Sequence, residues 1–129
     1  MKTNARPQSL AEVAEWSESW SDVSYNLADF LHEFAARPAP GLLRDRPRLL
    51  ANVFAEGEVC DAYLAATAAT LAPKIGEPRP TWTEEPDRYL RLPWFASPGP
   101  SMRACLLLES PARFRERNLF VTANALSVA

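Results

Sequence analysis

Proline limits this chain more than any other residue does: twelve prolines stand against four glycines in 129 residues. Each proline lacks a backbone N–H and fixes its own φ, so it ends, starts or blocks a helix. Turns are therefore made mostly with rigid residues, and the helices must be short and fitted between stops. Apolar residues make up 47% of the chain and charged ones 23%, which is enough to bury a core and too apolar for a chain that stays disordered. The length fits a single domain.

Ser9-Leu10-Ala11-Glu12 has the form of a capping box, in which the serine hydroxyl accepts from a free N–H and the glutamate reaches back. Leu10, Val13 and Ala14 then share a face. Trp16 and Trp20 are four residues apart and would lie together on one helix, but the serines at 17, 19 and 21 equally permit a break near residue 20. Val23, Leu27, Phe30, Leu31 and Phe34 follow the spacing of a buried helix face, with Asp29 and Glu33 turned away and His32 nearby. Arg37-Pro38-Ala39-Pro40-Gly41 ends that helix. Asp45-Arg46-Pro47 predicts a short helix containing Leu49, Leu50, Val53 and Phe54, interrupted by Glu56-Gly57-Glu58. The helix after it shows Cys60, Leu64, Thr67 and Leu71 on one face with Val59, Tyr63 and Ala66 beside them, and an alanine-rich centre suited to close packing.

Beyond Pro73 lies a proline-rich connector over residues 76–80. It does not read as a domain boundary, because Trp82, Tyr89, Leu92, Trp94 and Phe95 need an apolar surface and the preceding helices supply one. Trp82, Trp94 and Phe95 are expected to be mostly buried there. Thr83-Glu84-Glu85-Pro86 predicts a short helix ended by Pro93. Pro98-Gly99-Pro100-Ser101 resets the chain into a helix carrying Met102, Cys105, Leu106 and Leu108, Ser110-Pro111 caps another, and Leu119-Phe120-Val121-Thr122 reads as extended. The expected fold class is all-α: a compact single-domain bundle of about five to seven short helices with a short extended C-terminal segment. Residues 1–8 are expected to form a flexible N-terminus and residues 9–129 the helical domain.

A formal charge of −2 gives no electrostatic case for nucleic acid. No stretch reads as a secretory signal or a bilayer span, so a cytoplasmic protein is expected. In that compartment Cys60 and Cys105 read as small core residues rather than a disulfide.

No cluster has the residue types and spacing of a catalytic or metal site, and no metal or cofactor is expected. His32 is the single histidine; Asp29 and Glu33 flank it at helical spacing, as expected of a mixed charged helix face. Glu84/Glu85 and Glu56/Glu58 suit helix starts, where carboxylates oppose the dipole. Arg103, Arg113, Arg115 and Arg117 could form a phosphate-binding surface with Trp82 or Trp94. Arg113 and Arg117 would share a helix face, however, and Glu109 and Glu116 offer them partners.

The pattern Pro80-Thr81-Trp82-Thr83, Asp87-Arg88-Tyr89-Leu90, Pro93-Trp94-Phe95 and Leu108-Glu109-Ser110-Pro111-Ala112-Arg113-Phe114-Arg115-Glu116-Arg117 resembles a family of small uncharacterised bacterial proteins. Asp29-Phe30-Leu31 with Phe34, and Asp61-Ala62-Tyr63-Leu64-Ala65-Ala66, extend the likeness over nearly the whole chain after the first helix. Members occur alone or C-terminal to an Xre-type helix-turn-helix in antitoxin-like regulators, which implies a binding module without catalytic residues. The expected function is therefore a non-catalytic protein-binding module, an antitoxin-like component of a bacterial two-gene system whose partner is the product of an adjacent gene. Arg103, Arg113, Arg115, Arg117, Trp16, Trp20 and Tyr25 are its expected contacts, since such side chains anchor interfaces. Two alternatives stay open: an enzyme with a site near His32 or Glu84/Glu85, and a weak nucleic-acid-binding module using the Arg113–Arg117 helix.

Overall fold

The computed structural model describes residues 6–97 and 99–127, without the side chains of residues 100 and 101. Most of the expected N-terminal segment 1–8 and the last two residues of the expected domain therefore lie outside the described residues; Pro7 is buried. The chain is mostly helical. Its helices are α1 (Leu10–Glu15), α2 (Trp20–Ala36), α3 (Gly41–Arg44), α4 (Gly57–Leu71), α5 (Pro100–Glu109) and α6 (Ala112–Arg115). Two short strands, β1 (Trp94–Phe95) and β2 (Leu119–Phe120), pair in parallel with Trp94 opposite Leu119 and Phe95 opposite Phe120. No helix among the described residues is long and apolar enough to cross a membrane.

The first two helices start as their serines dictate. Ser9 Oγ accepts from Glu12 N–H at 3.1 Å, and the Glu12 carboxylate accepts from Gln8 N–H at 2.8 Å. The same device recurs at α2, where Ser19 Oγ takes Asp22 N–H at 3.2 Å and Asp22 takes Glu18 N–H at 2.9 Å. The break falls between Trp16 and Trp20. Arg48 closes the end of α1 by donating to the carbonyls of Ala14 (3.1 Å) and Ser17 (2.7 Å).

Helix α4 is covered on nearly every side, as a helix without a polar face must be. Cys60, Leu64, Ala65, Ala68 and Leu71 join the core built with α1 and α2, while Val59, Ala62 and Ala66 join a second cluster with Phe114, Leu119 and Val121. Trp20, Tyr63 and Leu126 pack against both.

Two expected helices do not form. Over 47–50 the chain is irregular, and over 51–54 it makes turns and a bend instead. The N–H groups of Leu50 and Ala51 point to the buried Asp61 carboxylate at 2.6 and 3.1 Å, and the Pro47 carbonyl accepts from Arg88 at 2.6 Å. Tertiary partners have taken the groups a helix would have used. After Thr83 there are two 3-10 turns, Thr81–Glu84 and Pro86–Arg88, because Glu85 precedes a proline and is driven to extended geometry at ψ 136°. Ser110 is a further correction: it does not cap α6, but accepts from Val121 N–H at 2.8 Å and fixes the end of β2. Trp82 is buried, whereas Trp94 and Phe95 are only half-buried.

Asp61 and Arg88 are both fully buried and lie 3.9 Å apart. Burial pushes the Asp61 carboxyl above its ordinary value; the Leu50 N–H, the Arg88 charge and the Ala51 N–H pull it back down. Replacing Asp61 by alanine would strand two N–H groups and a guanidinium in the core, so Asp61→Ala should cost about 3–5 kcal/mol in urea unfolding. Gly57 opens α4 where an added Cβ would collide with the Leu50 backbone carbonyl, and backbone cannot rotate aside. Gly57→Ala should therefore destabilise by roughly 3 kcal/mol or more, measured the same way.

Candidate functional site

Trp20, the first residue of α2, meets Trp94 of β1 with ring centroids 5.5 Å apart. Both line a cleft of about 390 Å³. Helix α2 contributes Val23, Leu27 and Leu31 to it, α4 contributes Cys60 and Tyr63, and the segment after β2 contributes Val121 and Ala125. The helix period brings Trp20, Val23, Leu27 and Leu31 to one side of α2, and the parallel ladder places Trp94 across from them. Among the described residues the lining includes no Asp, Glu, Lys or Arg.

His32 lies on the same cleft and is exposed. Its Nδ1 is 3.0 Å from the Ala28 carbonyl. A carbonyl can only accept, so Nδ1 carries the proton and Nε2 is left for another partner. Cys60 is the nearest thing to a nucleophile here, but burial first, and then the negative charges of Asp61, Glu56 and Glu58, push its thiol up to about 12. A thiol so raised holds its proton and is a poor nucleophile. Of the carboxylates flanking His32, Glu33 is buried and pairs with Arg37 at 3.1 Å, and Asp29 is half-buried. Among the described residues no three His, Cys, Asp or Glu side chains gather as a metal ion would need.

The Glu84/Glu85 pair belongs to an arginine network. Glu84 accepts from Arg79 and from the Tyr89 hydroxyl, each at 2.9 Å, and these bonds hold its carboxyl below the usual range. Glu85 sits between Arg46 at 2.6 Å and Arg88 at 3.1 Å; burial raises its carboxyl, and the two arginines together outweigh that and lower it. A general acid at neutral pH needs the opposite shift.

The expected contact residues are scattered. Trp16 ends α1 and is half-buried, and Tyr25 is 70% exposed on α2. Arg103 lies 5.0 Å over the Phe95 ring, which in turn stacks on Phe120 at 5.0 Å. Arg113 pairs with Glu116 at 3.1 Å, and Arg115 is exposed. Arg117 is a correction, because it is fully buried: its Nη2 donates to the Thr83 carbonyl at 2.7 Å and its guanidinium lies 4.4 Å over the Tyr89 ring. Helix α6 ends at Arg115, so the expected shared face of Arg113 and Arg117 does not exist.

One surface was missed in the sequence. Of the apolar run 104–108 in α5 only Leu106 is buried; Leu107 is 47% and Leu108 84% exposed, with Met102 at 41%. Cys105, expected in the core, is exposed too. The signal was present: Leu106 and Ser110 are four apart and face inward together, which turns Leu108 outward.

No protein-family model, no curated protein and no solved structure matches the chain. The contrast between the cysteines is directly measurable: an aromatic disulfide reagent should titrate one thiol in the native protein, Cys105, and reach Cys60 only on unfolding. Loss of the native reaction in Cys105→Ser checks the assignment.

Proposed function

We propose that the protein is a non-catalytic module that binds another protein, as the antitoxin-like component of a bacterial two-gene system. The reading takes the chain from residue 9 onward as one compact helical unit acting in the cytoplasm. The observation that carries it is the outer face of α5, where Leu107 and Leu108 stand in solvent on a helix held to the body through Leu106. Large exposed apolar side chains grouped on one helix mark interaction sites more often than single exposed leucines do. Arg103 on the same helix and Arg113 and Arg115 on the next one bring positive charge and long side chains to the same part of the chain, of the kind enriched at interface anchors. The resemblance to antitoxin-like proteins supports the same class of partner, the product of the neighbouring gene. Against the enzyme alternative stand the protonated Cys60 and the ion-paired Glu84 and Glu85; against nucleic acid stand the net charge of −2 and the burial of Arg117.

Co-expression with the adjacent gene followed by size-exclusion chromatography tests this reading. The two products should elute together, and Leu108→Glu should weaken the complex by at least about tenfold while leaving the melting temperature unchanged, as expected for an exposed interface anchor. Separate elution of the wild-type products, or an unaltered affinity in Leu108→Glu, would reject it.

A further inference from the structure

The cleft between α2, α4 and the segment after β2 has an unusual inventory of hydrogen-bonding groups. Trp20 Nε1, Trp94 Nε1 and the Tyr63 hydroxyl have no partner among the described residues, and none of the three is sealed from solvent. All three side chains are pinned through their rings. The indoles pack on each other, and Tyr63 packs edge-on against the buried Phe114 at 4.9 Å. Three donors without an acceptor among the described residues are thus carried by side chains that line an apolar cleft. Acceptor capacity is present as well, at His32 Nε2 and at the hydroxyls of Ser24 and Thr122.

Among the described residues the lining has no Asp, Glu, Lys or Arg. A ligand carboxylate or ammonium buried here would meet no such partner among them and would lose its hydration, which is costly. The volume falls in the range of small-ligand pockets, about 300–1,000 Å³, and so does the balance of apolar walls with a few polar groups. Cys60 and His32 are both on the cleft, but the raised thiol offers binding contacts without a nucleophile.

We propose that this cleft is a binding site for an uncharged small amphiphile, with an aliphatic or aromatic body against Leu27, Leu31 and the Trp20–Trp94 pair and a carbonyl or hydroxyl group accepting from Tyr63 and the indoles. The site is separate from the outer face of α5 and does not depend on the protein partner proposed there.

Isothermal titration of the full chain with octanamide, octanoate and octylamine tests the chemistry, and toluene serves as a probe that accepts no conventional hydrogen bond. Octanamide should bind saturably at one site, with the two charged probes weaker by about tenfold, the cost of burying an unpaired charge. Tyr63→Phe keeps the ring on Phe114 and removes only the hydroxyl; it should weaken octanamide about fivefold to tenfold and leave toluene unchanged. If that variant fails to fold, Trp20→Phe, which removes one indole N–H together with part of the apolar wall, should weaken octanamide by a larger factor than toluene. No saturable binding of octanamide, equal binding of all three eight-carbon probes, or hydrogen-bond variants that bind octanamide as the wild type does would each overturn the proposal.

Discussion

Everything in this molecule is arranged around a helix that has no side to show to water. Helix α4 carries alanines and leucines around most of its circumference, so the chain must cover it from several directions. The N-terminal helices cover one side and the segment from Thr81 to Val121 covers another, which is why the buried residues form two clusters with α4 between them. Its one buried charge, Asp61, organises what lies next to it. By accepting from Leu50 and Ala51 and facing Arg88, it draws the irregular 47–54 stretch and the 3-10 turn at Pro86–Arg88 onto the same point. A carboxylate taken out of water is tolerated only when its lone pairs are occupied and a counter-charge is near.

The Trp82, Arg88, Ser110, Phe114 and Arg117 side chains largely serve this covering. Trp82 is buried with its indole N–H on the Leu43 carbonyl at 3.0 Å, and Arg88 lies 4.9 Å over its ring. Arg117 reaches back to the Thr83 carbonyl, Ser110 ties to Val121, and Phe114 fills the second cluster. Proline-rich segments cannot satisfy their own backbone groups by making helices, so arginine and serine side chains satisfy those groups instead. A pattern that looks like a functional signature is, at these positions, the means by which a chain rich in proline closes over α4.

What is left at the surface is correspondingly spare. Many arginines pair with glutamates, and two exposed features stand out among the described residues, the leucines of α5 and the cleft with the Trp20–Trp94 pair. The first is an apolar face, suited to another apolar face. The second combines fixed donors with uncharged walls, suited to a small neutral molecule. Among the described residues neither contains an activated nucleophile or a carboxyl raised for acid catalysis.

By itself the sequence determined the local starts and the long amphipathic pattern. Ser9 and Ser19 cap helices because a hydroxyl beside free N–H groups acts within one turn, and the Val23 to Phe34 face is buried because its period leaves no other choice. The same reasoning reached α4 and the extended Leu119–Phe120. Contacts between distant residues decided the rest. The 47–54 segment lost its helix to Asp61 and Arg88, Arg117 was drawn inside by Thr83 and Tyr89, and α5 turned Leu108 outward once Leu106 and Ser110 had docked. The cleft is likewise invisible in the sequence, since Trp20 and Trp94 are separated by more than half of the chain and meet only in the completed fold, where β1 pairs with β2. Local rules act through neighbouring backbone groups, whereas the fate of an arginine or a tryptophan depends on which carbonyl, carboxylate or ring the completed fold brings to it.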